Sequence, residues 1–137
     1  MTHISDRPIG TLMIVDDSSF DQMVYERIVA RSNVVETLLQ FTDPIKGLAY
    51  LKDGWMPKPD LILLDVNMPG LNGFEFLEHA TEEVGPGLCP VIIMLTTSLN
   101  PSDEERARSF AIVKDFLNKP LTDELLKYLG ERMRRAA

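Results

Sequence analysis

A short apolar run followed by a helical pattern occurs five times along this chain, and no other feature limits its fold as strongly. The runs are TLMIV (11–15), VETLLQF (35–41), LILLD (61–65), VIIMLT (91–96) and VKDFLN (113–118). Repeated strand-then-helix units are typical of a parallel sheet, because parallel neighbours need a crossover connection. The chain is therefore predicted to form a doubly wound α/β fold with five parallel strands and five helices.

The apolar content of each run indicates its place in the sheet. The first, third and fourth runs are apolar throughout, as expected for strands that helices cover on both faces. The second run is mixed, and the fifth carries Lys114 and Asp115. We therefore expect the second and fifth strands to lie nearer the edges.

Helix-start and helix-stop residues fill the gaps between the runs. Ser19 and Gln22 are spaced as a capping box, which predicts a first helix ending near Ser32 and Asn33. The next three helices are predicted to begin at Asp43–Pro44, Gly73 and Asn100–Pro101, and the last carries an apolar stripe of Leu121, Leu125, Leu126, Leu129 and Met133.

Length, charge and composition limit the class of protein. The 137 residues are expected to form one domain over 1–137, with a core of about 10–134 and no output domain. The net charge of -7 argues against nucleic-acid binding. Neither a membrane span nor a signal peptide is recognisable, and the single Cys89 excludes an internal disulfide. A cytoplasmic location without membrane partners is expected.

Polar residues follow four of the five apolar runs. Asp16 and Asp17 end the first, Asp65 the third, Thr96 the fourth and Lys119 the fifth. Ligands of such sheets bind beyond the carboxyl ends of the strands. We therefore expect three carboxylates, a hydroxyl and an ammonium to meet at one rim.

Three clustered carboxylates need a counter-charge. Two like charges about 4 Å apart repel by roughly 4 kcal/mol at an effective dielectric of 20, and Lys119 offsets only part of this. The cluster predicts a hard divalent cation, Mg²⁺ in the first place and Mn²⁺ as an alternative. A carboxylate beside a cation can also act as a nucleophile toward phosphorus.

Four segments together resemble the receiver domain of bacterial two-component response regulators, of the stand-alone chemotaxis type. They are LMIVDD (12–17), LILLDVNMPGLNGFEFL (61–77), IIMLTTS (92–98) and DFLNKPL (115–121), and they span essentially the whole chain. The resemblance implies a flavodoxin-like sheet of strand order 2-1-3-4-5.

The same resemblance implies a role for each acidic residue. Asp65 matches the aspartate that accepts the phosphoryl group. Asp17 matches the direct magnesium ligand, and Asp16 the acid that supports the metal largely through water. Asn67 matches the residue whose backbone carbonyl ligates the metal.

Three further positions match the residues that respond to phosphorylation. Thr96 is similar to the hydroxyl that turns toward the phosphoryl group. Lys119 is similar to the lysine that contacts it, and the Lys119–Pro120 bond is expected to be cis. Phe116 occupies the switch aromatic position, and it is either that switch or an ordinary strand residue.

The function implied by the resemblance is a phosphorylation-dependent switch. A sensor histidine kinase or a histidine phosphotransfer protein would phosphorylate Asp65, and the signal would leave by protein contact through the face of the fourth helix, fifth strand and fifth helix. The protein would assist its own phosphorylation and dephosphorylation without a separate turnover activity, as a monomer or a phosphorylation-dependent dimer.

Two alternatives belong to other classes. One is a receiver-like binding module that acts without phosphorylation; the complete set of acids, hydroxyl and lysine counts against it. The other is a magnesium-dependent phosphatase of the haloacid dehalogenase type, which would carry an acid where Asn67 stands.

Overall fold

A computed structural model describes residues 7–54, 56–85 and 91–136, and Cys89 lies outside these ranges. Strands and helices alternate strictly within them, as the sequence predicts. They are β1 (Ile9–Val15), α1 (Ser19–Ser32), β2 (Val35–Phe41), α2 (Pro44–Lys52), β3 (Leu61–Asp65), α3 (Gly73–Glu83), β4 (Val91–Thr96), α4 (Pro101–Arg108), β5 (Val113–Asn118) and α5 (Asp123–Ala136).

The strands that the structure describes form one parallel sheet of order β2-β1-β3-β4-β5. This confirms the predicted order and places the two more polar strands at the edges. β1 begins two residues before the predicted run, at Ile9, because Ile9 pairs with Val35 of β2. The Lys119–Pro120 bond is cis, as predicted.

Apolar side chains cover both faces of the sheet. Met13 and Val15 pack on the face under α2 and α3, whereas Leu12 and Ile14 pack on the face under α1 and α5. Leu126 and Leu129 of the predicted α5 stripe are buried on the second face. Uninterrupted apolar runs are thus explained by helices on either side of the central strands.

The predicted cap of α1 is wrong by one residue. Ser18 is the N-cap, and its hydroxyl accepts a hydrogen bond from the Asp21 amide at 3.1 Å. Gln22 does not complete a capping box with Ser19, because it lies on the buried side of α1. Its side-chain nitrogen donates to the carbonyls of Ile14, Asp16 and Phe41. The side-chain amide of Gln22 thereby connects α1 to backbone oxygens at the ends of β1 and β2.

The other predicted helix starts agree with the structure. Asp43 caps α2 ahead of Pro44, and Asn100 caps α4 ahead of Pro101. Asn72 and Glu75 form a capping box at the start of α3. None of the described helices is long and apolar enough to cross a bilayer.

Replacing Gly73 with alanine is expected to lower the free energy of unfolding by about 1–3 kcal/mol, because overpacking strains a close-packed site. A Cβ at Gly73 would collide with the backbone oxygen of Asp65 and crowd the side chain of Met94. Gly47→Ala is the matched control, since its Cβ would meet the flexible end of Met13 at 3.3 Å inside a helix that alanine favours. Urea denaturation of both variants checks this, and equal stabilities would contradict it.

Candidate functional site

Three carboxylates cluster where β1 and β3 end. Each of Asp16, Asp17 and Asp65 offers an oxygen, and these oxygens lie within 4.8 Å of one another. Asp16 and Asp65 are buried, with 1% and 6% of their surface exposed, whereas Asp17 is exposed. The structure therefore brings together the three acids that the sequence placed at one rim.

Asp65 is the acid most strongly affected by its surroundings. Burial, which disfavours the ionised form, and the charge of Asp16 raise the pKa of Asp65 to about 6, although Lys119 acts in the opposite direction. At neutral pH the carboxyl is therefore largely ionised, at an energetic cost that a nearby cation would reduce.

Lys119 brings a single ammonium into this cluster from the end of β5. Its Nζ lies 2.8 Å from Oδ2 of Asp16, 3.2 Å from Oδ2 of Asp21 and 3.5 Å from Oδ1 of Asp65. Burial would lower the pKa of Lys119, but the hydrogen bond to Asp16 and the charge of Asp65 together raise it above its ordinary value. The ammonium thus remains protonated and faces more carboxylates than it can neutralise.

Asp16 is fixed by donors from α1 and its N-cap residue as well as by Lys119. The hydroxyl of Tyr25 donates to Oδ2 of Asp16 at 2.8 Å, and the amide of Ser18 donates to Oδ1 at 3.0 Å. Burial and the adjacent Asp16 charge raise the pKa of Tyr25. Both oxygens of Asp16 are therefore held in a defined orientation.

Thr96 lies at the end of β4, fully buried, and its hydroxyl accepts a hydrogen bond from the Ser98 amide at 3.0 Å. The loop that follows is tied down through Ser98. The Ser98 hydroxyl donates to Asp103 at 2.6 Å, and the side chain of Asn118 donates to the Ser98 carbonyl at 3.1 Å. The Thr96 hydroxyl is thus coupled to the start of α4 and to the end of β5.

The two other predicted residues are Asn67 and Phe116. Asn67 is exposed, two residues beyond Asp65 in the loop to α3. Phe116 is half-buried in β5, packs against the core under α3 and α4, and lines a surface cleft with Ser98 and Leu99. Its role as a switch stays a prediction.

Three site residues on α1 escape prediction from the sequence. Asp21 accepts a hydrogen bond from Lys119, and Tyr25 donates one to the carboxylate of Asp16. Gln22 donates to the backbone carbonyl of Asp16. The i, i+4 spacing of Asp21 and Tyr25 places both on one side of the helix. That spacing, directly after the Asp16–Asp17 pair, is the signal that could have identified them.

Most of this chain, including the acid cluster, is similar to known proteins. The model of the response regulator receiver domain matches residues 12–129. Protein PilH from Pseudomonas aeruginosa is 30% identical over 118 residues, which cover 86% of this chain and 92% of PilH. The solved structure of a two component response regulator from Cytophaga hutchinsonii has a TM-score of 0.84 at 25% identity, and the match covers 94% of this chain and 99% of that one.

Some relatives are much longer than this chain. Protein-glutamate methylesterase/protein-glutamine glutaminase 3 from Burkholderia thailandensis is 27% identical over 128 residues. The match covers 90% of this chain but 33% of that protein. The similarity therefore concerns a part of that protein rather than its whole length.

Metal-free protein is expected to lose stability, relative to Asp65→Asn, as the pH rises. Below pH 3.8, the ordinary pKa of this carboxyl, Asp65 is protonated in both the folded and the unfolded state, and the stability that the neutral carboxyl contributes is fully present. This contribution is lost as the pH rises through the folded-state pKa of about 6. The difference between the two proteins should change by up to about 3 kcal/mol between pH 4 and pH 7. Urea denaturation in EDTA measures it.

Asp43→Asn provides the control, because it removes one exposed negative charge and asparagine is as good an N-cap as aspartate. This variant should follow the wild type at every pH. A constant difference between wild type and Asp65→Asn across the range would contradict the prediction.

Proposed function

Because this chain belongs to the response regulator receiver family, it is a phosphorylation-dependent signalling domain, and we propose that Asp65 is its phosphoryl acceptor. The observation that carries the proposal is the position of Asp65. Its carboxylate is buried at the strand end, in the same cluster as Asp16 and Asp17 and 3.5 Å from the ammonium of Lys119. A nucleophile with restricted hydration and a nearby cation suits phosphoryl transfer.

Receiver domains take their phosphoryl group from histidine kinases or phosphotransfer proteins, and we assign such a donor to this chain. An Asp65 oxygen would bond to phosphorus while the phosphorus–nitrogen bond of the phosphohistidine breaks. The released imidazole nitrogen keeps the bonding electron pair and takes up a proton. With such a donor, the protein would act in the cytoplasm.

The donor set fits a magnesium ion. Within the described residues, Lys119 forms ion pairs with Asp16, Asp21 and Asp65. Asp17 adds a further carboxylate beside Asp16 and Asp65, which leaves the cluster with excess negative charge. All-oxygen ligands favour Mg²⁺, and Mn²⁺ accepts the same ligands. Asp16, Asp17, Asp65 and the backbone carbonyl of Asn67 would hold the ion. When bound, it supplies positive charge to the phosphoryl oxygens.

Lys119 and Thr96 are the groups that would respond to the transfer. A phosphoryl group adds about -1.5 to -2 charge and three acceptor oxygens. Lys119 already lies within ion-pair distance of Asp65, so its ammonium would pair with this charge. The Thr96 hydroxyl, whose oxygen now accepts from the Ser98 amide, would turn to donate its proton to a phosphoryl oxygen.

Movement of Thr96 would change the surface around α4. Its hydroxyl is connected through Ser98 to Asp103 of α4 and to Asn118 of β5. A local charge change would therefore reorganise the face of α4, β5 and α5, with Phe116 filling the space that Thr96 leaves. We assign the downstream protein to this face, with the chain acting as a monomer or as a phosphorylation-dependent dimer and without a separate turnover activity.

A small phosphodonor such as acetyl phosphate, with Mg²⁺, is expected to add one phosphoryl group to the wild type and none to Asp65→Asn. The reason is that the amide lacks the nucleophilic oxygen. Intact-protein mass spectrometry measures the adduct, and peptide mapping locates it. Asp43→Asn should be labelled like the wild type, and equal labelling of Asp65→Asn would refute the assignment of the acceptor.

Magnesium is expected to raise the midpoint of thermal unfolding of the wild type, because a ligand that binds the folded state stabilises it by about 2.7 kcal/mol at 100 times its Kd. Asp17→Asn should lose most of this increase, since it removes one of the clustered oxygens. Asp43→Asn should keep it, and EDTA should reverse it. An undiminished increase in Asp17→Asn would contradict the proposed ligand set.

A further inference from the structure

We propose that Asp21 is a positioning residue that holds Lys119 toward α1 and thereby weakens its contact with the phosphoryl group on Asp65. The inference rests on the proposed function, because it concerns the same site. It starts from the unequal contacts of the Lys119 ammonium. The distance to Asp21 is 3.2 Å, whereas the distance to Asp65 is 3.5 Å.

An ammonium has three N–H donors, and their directions limit how many partners it serves well. Lys119 donates to Asp16 at 2.8 Å and to Asp21 at 3.2 Å, both within the usual range of an N–H···O bond. At 3.5 Å, Asp65 lies beyond that range. The resting ammonium therefore lies closer to Asp16 and Asp21 than to Asp65.

Asp21 is held in place for this contact. It lies in the first turn of α1, where its backbone amide donates to the hydroxyl of the cap Ser18. One helical turn later, Tyr25 donates to Asp16, which is the other acceptor of Lys119. Two successive turns of α1 thus present a carboxylate and a hydroxyl to the same pair of groups, Asp16 and Lys119.

Asp21 differs from Asp16 in its connection to the cation cluster. The described acids that could share a cation are Asp16, Asp17 and Asp65, and Asp21 is not one of them. Its side chain is 36% exposed, compared with 2% for Asp16. Asp21 can therefore be altered without removing an expected metal ligand, and its effect on Asp65 passes through Lys119.

Removing the Asp21 carboxylate should let Lys119 bind the phosphoryl group more strongly. We expect Asp21→Asn to bind beryllofluoride, a mimic of the phosphoryl group, about 1.5- to fivefold more tightly in saturating Mg²⁺; this range corresponds to a partly exposed ion pair. Asp21→Glu, which keeps the charge, should restore most of the wild-type affinity. Glu26→Gln controls for charge, because it removes an exposed carboxylate from the same helix.

The test has two readouts, one of which does not depend on phosphorylation. In metal-free protein, NMR of the Lys119 side chain should show a shifted ammonium signal and faster hydrogen exchange in Asp21→Asn, but not in Glu26→Gln. Calorimetry with beryllofluoride and Mg²⁺ then measures affinity in the wild type, Asp21→Asn, Lys119→Gln and the double variant. The gain from Asp21→Asn should disappear in the Lys119→Gln background.

Each result has a defined meaning. An unchanged Lys119 signal in Asp21→Asn overturns the inference. An affinity of Asp21→Asn for beryllofluoride that is unchanged or weaker also overturns it. So does an equal increase in affinity in Glu26→Gln. If Lys119→Gln abolishes binding, the NMR comparison decides: a Lys119 signal that shifts in Asp21→Asn but not in Glu26→Gln supports a contact through Lys119, and equal shifts in both variants overturn it. If the wild type binds no beryllofluoride, the proposed function fails, whereas the NMR comparison still tests the contact between Asp21 and Lys119.

Discussion

One ammonium among several carboxylates is the constraint on which the rest of this site depends. Lys119 lies within 3.5 Å of oxygens from Asp16, Asp21 and Asp65, three acids that come from a strand end, a helix and another strand end. One positive charge cannot balance this set, and water is largely excluded from Asp16 and Asp65. The folded domain therefore carries unbalanced negative charge at its rim, which gives the site its capacity to bind a cation and to respond to added charge.

The sheet prevents the carboxylates and Lys119 from moving apart. Central strands covered on both faces by apolar side chains cannot shift their register without exposing a buried layer. The register places Asp65 beside Leu95 and Thr96 beside Asn118, so the ends of three adjacent strands are fixed relative to one another. Packing of the strands holds these carboxylates together against an electrostatic repulsion that would separate flexible groups.

Prediction from the sequence located residues that follow directly from their strands, and the roles of these residues in phosphorylation stay predictions. Asp16, Asp17, Asp65, Thr96 and Lys119 all come directly after or at the end of apolar runs, and parallel strands bring their carboxyl ends to one edge. Prediction failed on α1, where Ser19 and Gln22 match the capping-box pattern but the preceding Ser18 is the cap. Only the packing of the helix against β1 decides that Ser18 is the cap and that Gln22 points inward.

The sequence by itself determined the α/β class, the positions of the strands, the edge placement of β2 and β5, and the residues at the rim. These follow from local chemistry, namely apolar runs, breakers and the residue types at strand ends. The tertiary structure alone decided which groups Lys119 contacts, that Tyr25 and Asp21 belong to the site, and that the Thr96 hydroxyl is engaged by Ser98. Distances of a few tenths of an ångström and the rotation of a helix about its axis arise from packing across the whole domain, so no local pattern specifies them.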